Sequence, residues 1–270
     1  MKFSERMGFV KVSDVFQTDS MSQELRNRIY NFIVGALVKY KAQEHIFYYL
    51  HCEFYKLPLH GFEYNTNTNH GSVDRSILSS KRYKIYDLLE HLLSKYNIDA
   101  FVSYMNYTKE EFITNINQIL EEERSGYRII DGLVTPIIDN NEIANIEEAI
   151  NQPYNASIHL KTALQHLSNK QNPDYRNLIK ESISAVEVIL RIITGESTAG
   201  KALNKIQEKI HLPTVLKDGF EKIYAFTNGK DRIRHALMDE TTLQLEDAKF
   251  MLVSCSAFVN YLRSKQVNGL

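Results

Sequence analysis

The sequence is poor in the residues that fix small extracellular or membrane-bound folds. Cysteine occurs only at Cys52 and Cys255, too few and too far apart for a disulfide framework or a zinc ribbon. No apolar run approaches the roughly 18 residues that a membrane span needs. Charges are scattered through residues 1–15, unlike the continuous apolar segment of a secretory signal. We therefore expect a reduced, cytoplasmic protein that has no contact with a membrane.

Familiar catalytic and cofactor signatures are missing as well. The chain has no Gly-rich phosphate loop, nucleophile elbow or paired-carboxylate motif, which argues against a kinase, an NTPase or a hydrolase of familiar type. Six imidazole or thiol groups occur in the first third, but their spacings match no metal-ligand pattern. They are His45, His51, Cys52, His60, His70 and His91. We expect neither a metal ion nor another cofactor.

The composition that remains is that of a folded domain. Hydrophobic residues make up 43% of the chain and charged residues 24%, which is typical of globular rather than disordered proteins. The net charge is −1, but the residues from Pro153 onward carry 16 Lys plus Arg against 12 Asp plus Glu, a balance of +4 that leaves −5 for the first half. The carboxy-terminal half is therefore better suited to phosphate, although it is far less basic than typical DNA-binding domains.

Apolar periodicity predicts a mainly α-helical protein. The stretch "SMSQELRNRIYNFIVGALVKYKAQ" places Leu25, Ile29 and Ile33 on one helical face, and Ser20 with Gln23 has the spacing of a capping box. Helices are also predicted at "EHIFYYLHCEFYKLPL", "YKIYDLLEHLLSKY", "TKEEFITNINQILEEER" and "NEIANIEEAINQP". The first of these four is expected to end at Pro58, and the third to open with a capping box of Thr108 and Glu111.

One stretch departs from the helical pattern. In "GYRIIDGLVTPIIDN", β-branched residues flank Asp131-Gly132, a dipeptide that favours the tight turn of a β-hairpin. We predict a mostly helical first domain, residues 1–152, with a small β-hairpin near residues 127–139. A second domain, residues 153–270, follows after a short linker.

The second domain is predicted to be a helical bundle. Its helical segments are "ASIHLKTALQHLSNK", "DYRNLIKESISAVEVILRIITG", "AGKALNKIQEKI", "PTVLKDGFEKIYAFTNG" and "LQLEDAKFMLVSCSAFVNYLRSK". The second segment is expected to be capped by Asn172, with Pro173 as its first residue, and to run to Gly195. Thr241 and Gln244 have capping-box spacing before the last segment.

The stretch "TNGKDRIRHALMDE", residues 227–240, contains the strongest candidate for chemistry. On a helical turn Asp231, Arg232, His235 and Asp239 share one face. An imidazole held by a carboxylate can move a proton near pH 7, and a nearby guanidinium can stabilise a developing phosphorane charge. These groups are the ingredients of metal-free RNA cleavage, but the spacing alone is equally that of a helix start whose charges pair locally.

The carboxy-terminal half resembles the HEPN superfamily (higher eukaryote and prokaryote nucleotide-binding), in its abortive-infection branch. The resemblance rests on "NPDYRNLIKESISAVEVILRIITG", "IRHALMDE" and "DAKFMLVSCSAFVNYL". The first half, with "FSERMGFVKV", "ELRNRIYN" and "YRIIDGLVTPIID", looks like an amino-terminal domain of the AbiJ type. The resemblance implies a bundle that forms a homodimer, brings two reactive turns together and cleaves RNA without metal as an antiviral toxin. It also leaves room for an inhibitory or sensing partner.

The resemblance also implies roles for particular residues. In the superfamily, four to six residues separate an Arg from the catalytic His, and the corresponding positions here are Lys230, Gly229 and Asn228. Lys230 and Asp231 keep the four-residue gap to His235 and the polar second position, so these three are the implied catalytic residues. A compact ammonium thus replaces the guanidinium fork. The implied RNA contacts are Arg232, Arg234 and Asn228.

Two interpretations stay open at this point. Glu187, in an otherwise apolar part of its helix, either orients His235, as a polar residue of that helix does in the superfamily, or occupies a surface position. The aromatic run "HIFYYLHCEFY" either belongs to a core or domain interface, or stacks on bases or a partner. For the whole protein, the alternative to an endoribonuclease is a non-catalytic module that binds RNA, nucleotide or protein.

Overall fold

The computed structural model describes residues 16–39, 43–61, 71–94, 108–152, 155–169, 171–228 and 243–268, together with Phe3 and Met7. It is mainly helical with one small antiparallel sheet, which confirms the predicted fold class. The chain divides into two compact units, Met1–Val134 and Thr135–Leu270. These units are defined by which residues pack together. The domains 1–152 and 153–270 are defined by sequence patterns and stay a prediction.

The first unit consists of helices, short helical turns and a hairpin. Five α-helices are described: α1 (Gln23–Lys39), α2 (Gln43–Tyr49), α3 (Gly71–Ser79), α4 (Arg82–Ser94) and α5 (Lys109–Glu122). A π-helical turn, Leu50–Phe54, continues α2, and a 3₁₀ turn follows at Leu59–Gly61. The hairpin strands are β1 (Arg128–Ile130) and β2 (Leu133–Thr135), the second of which reaches the unit boundary.

The core of the first unit follows the predicted helical spacing. Leu25, Ile29 and Ile33 of α1 are fully buried, as their common face requires. They belong to one cluster with the apolar faces of α4 and α5, and the rings of Phe32 and Phe112 approach to 5.3 Å between centroids. Burial of a single α1 side chain of this size contributes about 1.5–3 kcal/mol.

Local signals set two of the element boundaries where the sequence predicts them. Thr108 accepts a hydrogen bond from the Glu111 amide at 3.1 Å, and the Glu111 carboxylate accepts one from the Thr108 amide at 2.8 Å, so this capping box is confirmed. The hairpin turn is confirmed as well, because Asp131 and Gly132 both have positive φ, 50° and 81°. Two positive φ values in succession give the turn the twist that a two-residue hairpin needs.

Two other predicted boundaries in the first unit are wrong. The capping residue of α1 is Ser22, not Ser20: its Oγ accepts from the Leu25 amide at 3.1 Å, because the helix begins at Gln23. The helix predicted to end at Pro58 ends earlier. Its regular α-helical part, α2, stops at Tyr49, the π-helical turn that follows stops at Phe54, and Lys56 then adopts a left-handed φ of 52°.

The second unit is a helical bundle with one central helix. Its elements are α6 (Asn140–Ile150), α7 (Asn155–Ser168), α8 (Tyr175–Thr194), α9 (Ala199–Lys209), α10 (Thr214–Asn228) and α11 (Leu245–Asn268). The central helix α8 packs against α7, α9, α10 and α11, while α6 packs against α7 and α11. The buried face of α8 includes Leu178, Ile183 and Ile189, each fully buried.

The ends of α8 are defined by one acidic residue and one glycine. Its cap is Asp174, whose Oδ1 accepts from the Asn177 amide at 2.9 Å, so the predicted cap at Asn172 is wrong. The Asn172 amide instead donates to the Asn169 side chain at 3.2 Å, within the connection that follows α7. The predicted end is confirmed, because Gly195 has a left-handed φ of 74° and its amide donates to the Arg191 carbonyl at 2.8 Å.

Candidate functional site

The predicted reactive stretch connects α10 to α11, and both helices pack on α8. Five of the predicted site residues lie outside the residues that the structure describes: Lys230, Asp231, Arg232, Arg234 and His235. Asn228 is the last residue of α10, and only its backbone is described. The described site therefore consists of the helices that hold the two ends of this stretch.

The end of α10 that leads into the stretch is anchored by two buried side chains. Phe220 is 4% exposed, and its ring stacks on Phe258 of α11 at 3.5 Å between centroids and 15° between planes. Thr227 is fully buried next to Asn228, and its hydroxyl donates to the Tyr224 carbonyl at 2.7 Å. The second half of α10 is thus anchored by Phe220 and has a buried residue, Thr227, where the predicted stretch begins.

The start of α11 is fixed in a similar way. The Gln244 amide donates to the Asp247 carboxylate at 2.9 Å, which satisfies one of the amides that a helix start leaves without an intrahelical partner. Gln244 is therefore the residue that precedes the helix. The sequence predicts a capping box of Thr241 and Gln244, but Thr241 lies outside the described residues. Ala248 and Leu252 follow as fully buried residues.

Polar contacts hold α11 against α6. Lys249 Nζ lies 2.8 Å from Glu142 Oε2, and the Asn260 side chain donates to the Asn145 carbonyl at 2.9 Å. Ser256 lies between these contacts on α11 and is fully buried. Since these bonds fix α11 along its length, they also fix the point at which the reactive stretch rejoins the bundle.

Glu187 is the one predicted site residue whose side chain the structure describes. It lies at intermediate exposure on α8, beside the buried Val186. This position at the edge of the buried face is compatible with both sequence interpretations, orientation of His235 or a surface role. Neither interpretation is tested by the described residues.

A second imidazole, which sequence reasoning missed, forms a close pair with a carboxylate on α8. His159 Nδ1 of α7 donates to Glu181 Oε2 at 2.6 Å, with side chains 34% and 21% exposed. A carboxylate on Nδ1 fixes the ring orientation and directs Nε2 outward, as in acid–base sites. The available sequence signal was His159 within the apolar pattern of α7, but its partner lies 22 residues away and only the packing of α7 on α8 brings them together.

The comparison with protein families gives a match over the first part of the chain. The family model AbiJ N-terminal domain 4 matches residues 1–152. The chain belongs to this family. The predicted AbiJ-type amino-terminal domain is therefore confirmed, and it associates the protein with abortive infection. No curated protein and no solved structure matches the chain.

The AbiJ domain contains a group of half-buried polar residues. The Arg26 guanidinium donates to the Ile77 carbonyl at 2.9 Å. Burial raises the pKa of Tyr30 to about 12, with the Asp74 carboxylate as a second cause. Burial also raises the pKa of Tyr55, while Arg26 acts in the opposite direction. Neutral phenols at physiological pH suit a structural role for this group.

The histidines of the AbiJ domain make separate contacts. His51 Nε2 donates to the Pro58 carbonyl at 2.9 Å, and His91 Nε2 hydrogen-bonds the Tyr49 hydroxyl at 2.9 Å. Within the described part of the chain there is no group of three or more His, Cys, Asp or Glu side chains that could hold a metal ion. Among the described helices, none has both the length and the apolar character to cross a membrane.

Proposed function

We propose that this abortive-infection protein is a metal-independent endoribonuclease whose reactive stretch, residues 227–240, cleaves RNA. The observation that supports the proposal most is that α10 and α11, which carry the two ends of this stretch, both pack on α8. The two helices that carry the ends of the stretch are thus both held in the same bundle. Catalysis by proximity and electrostatics needs groups that are held in place, and docked flanking helices favour this.

The proposed chemistry needs only groups of this chain and of the RNA. His235 takes the proton of the ribose 2′-hydroxyl, and the 2′-oxygen attacks the adjacent phosphorus while the bond to the 5′-oxygen of the next nucleotide breaks. The leaving 5′-oxygen takes a proton from water, and the His235 imidazolium returns its proton to the solvent. The products are a 2′,3′-cyclic phosphate and a 5′-hydroxyl.

The cations of the stretch have the role of holding phosphate. Lys230 occupies the position of the superfamily's Arg and places a point charge on the phosphorane, while Arg232 and Arg234 bind the flanking phosphates together with Asn228. Asp231 is the polar residue beside Lys230. Glu187 on α8 has the role of holding the imidazole in orientation, in the way a carboxylate holds a catalytic histidine.

A homodimer through the carboxy-terminal bundle is part of the proposal. The outer face of α10 exposes apolar side chains, with Val215 83% exposed and Phe226 42% exposed, and Gly219 leaves open space between them. Exposed apolar faces of this kind are typical of surfaces that contact another protein. A second copy on this face would bring two reactive stretches together, and the AbiJ domain would sense infection or restrain cleavage, alone or with an inhibitory partner.

The test is incubation of purified protein with total and transfer RNA in excess EDTA. Wild type is expected to cleave, while His235→Ala abolishes cleavage and Lys230→Ala reduces it by at least about 100-fold, the loss typical of one removed transition-state contact. Lys230→Arg restores the guanidinium and is expected to retain or increase the rate. His211→Ala is the matched control, since this exposed histidine precedes α10 and has no role in the proposal.

Two results would contradict the proposal. Equal cleavage by His235→Ala and wild type would assign the activity to a contaminant or another site. Intact RNA with wild type, combined with measurable RNA retention in a binding assay, would favour the non-catalytic binding module.

A further inference from the structure

A basic and aromatic surface lies on the AbiJ domain where the π-helical turn meets the start of α4. Lys81, Arg82, Tyr83 and Lys84 are consecutive and all exposed, with Tyr83 51% exposed. Lys84 Nζ lies 5.8 Å from the ring centroid of Phe54 and 6.0 Å from that of Tyr83, so the two segments share one surface. We call these five residues, together with the exposed Lys56, the α4 basic surface.

The charges of this surface are available to a ligand. Neither Lys56 nor Lys81 has an ion-pair partner among the residues that the structure describes. Arg82 lies 3.3 Å from Asp19, and Lys84 lies 3.5 Å from Asp87, in pairs whose side chains are all well exposed. Exposed pairs contribute about 0–1 kcal/mol and exchange readily for another anion.

The surface is positively charged within an otherwise acidic half of the chain. Its four cations outnumber the neighbouring acids Asp19, Glu53 and Asp87 by one, whereas the residues before Pro153 carry a balance of −5. The first turn of α4 holds the cations Arg82 and Lys84 and no acid, so these cations are not placed there to stabilise the helix. The helix dipole disfavours cations at this end.

The backbone beneath the surface is unusual in two respects. Phe54 ends a π-helical turn, and Lys56 has a left-handed φ of 52°. Single π-helical turns occur frequently at functional sites, and a non-glycine residue with positive φ stores strain that the surrounding fold must support. Phe54 lies beside α4, with its ring centroid 4.9 Å from that of His91.

We propose that the α4 basic surface binds single-stranded nucleic acid. Tyr83 stacks on an unpaired base, and Lys56, Lys81 and Lys84 hold the neighbouring phosphates. Exposed aromatic rings interleaved with cations are the combination that binds single strands without sequence preference. A base in a duplex is already stacked on both sides, so the exposed ring favours a single strand. The aromatic run that ends with Phe54 and Tyr55 packs against the core of the first unit, and the Phe54 ring supports Lys84. This binding needs only the first unit and is independent of RNA cleavage.

The test is fluorescence anisotropy of full-length protein with 5′-labelled 12-nucleotide oligo-dT and oligo-rU in EDTA, over a series of salt concentrations. Oligo-dT has no 2′-hydroxyl, so its binding is unaffected by the presence or failure of the proposed cleavage, and comparison with oligo-rU distinguishes DNA from RNA as the ligand. Tyr83→Ala is expected to weaken binding by about 5- to 100-fold, while Tyr83→Phe retains it. Lys81→Gln/Lys84→Gln is expected to lower the slope of log affinity against log salt by about 1.4.

The matched control is Lys201→Gln/Lys209→Gln, which removes the same charge from exposed positions of α9. It is expected to leave the slope unchanged. The proposal fails if wild type binds neither oligonucleotide, if a 12-base-pair duplex binds as tightly as the single strands, or if the control pair and the α4 pair have equal effects. Polyglutamate is the probe for an acidic protein partner. If Lys81→Gln/Lys84→Gln loses polyglutamate binding but keeps oligonucleotide binding, the surface binds an acidic protein instead.

Discussion

The stacked pair of Phe220 and Phe258 should determine whether α10 stays docked on the bundle. Phe220 is 4% exposed, whereas most of its helix faces solvent. A buried Phe removes about 150–250 Å² from water, and at about 25 cal/mol per Å² the transfer alone is roughly 4–6 kcal/mol. Measured losses for Phe→Ala in cores are about 3–5 kcal/mol. Because α10 has an open outer face and can relax, we expect Phe220→Ala to cost about 3 kcal/mol.

The matched control lies on the same helix. Phe226 is 42% exposed, so Phe226→Ala removes the same atoms from a largely hydrated position, and we expect a loss below about 1 kcal/mol. Native-state hydrogen exchange is the assay, because it separates the opening of α10 from that of the bundle. In Phe220→Ala the α10 amides are expected to lose about 100-fold in protection, the equivalent of roughly 3 kcal/mol, while those of α8 lose less.

Docking of α10 also affects the proposed site. If α10 opens, the end of the helix at Asn228 is no longer held by the bundle, so Phe220→Ala should lower RNA cleavage more than Phe226→Ala does. Unchanged α10 protection in Phe220→Ala, or an equal loss in both variants, would refute the argument that this stacked pair anchors the helix.

Three further outcomes follow from individual contacts. Asp174→Ala should destabilise the second unit by about 0.5–2 kcal/mol in urea unfolding and Asn172→Ala by much less, because Asp174 is the cap; equal effects would contradict this. Burial raises the pKa of the Glu90 carboxyl above 4.5, so the stability that its protonated form contributes is lost as the pH rises through the folded pKa. Glu90→Gln stays neutral and should therefore raise the melting temperature at pH 7 and have little effect near pH 4. Burial also raises the pKa of the Cys255 thiol, so a thiol reagent at pH 8 should modify the half-exposed Cys52 alone until denaturant is added.

Local features of the fold could be predicted from the sequence because their determinants are close together. The Asp131-Gly132 turn needs two adjacent residues that tolerate positive φ, and the Thr108–Glu111 box needs two residues three apart. The caps at Ser22 and Asp174 were missed by two residues each, since several polar residues compete there and contacts with neighbouring segments decide which one caps.

Features that depend on distant segments could not be predicted. The His159–Glu181 pair joins two helices, and neither residue signals the other in sequence. The π-helical turn at Leu50–Phe54 has the same apolar pattern as an ordinary helix, so periodicity alone predicts α-helix up to Pro58. For the candidate site, the sequence identified the stretch and its residues, and the structure adds how its two flanking helices are held on α8.

In the proposed reaction the ribose 2′-hydroxyl attacks the adjacent phosphate without metal. The most direct measurement is the chemistry of the fragment ends produced by wild-type protein in excess EDTA. We predict 2′,3′-cyclic phosphate and 5′-hydroxyl ends, and no fragments from His235→Ala. Fragments with 3′-hydroxyl and 5′-phosphate ends, or cleavage that requires added Mg²⁺, would contradict this account.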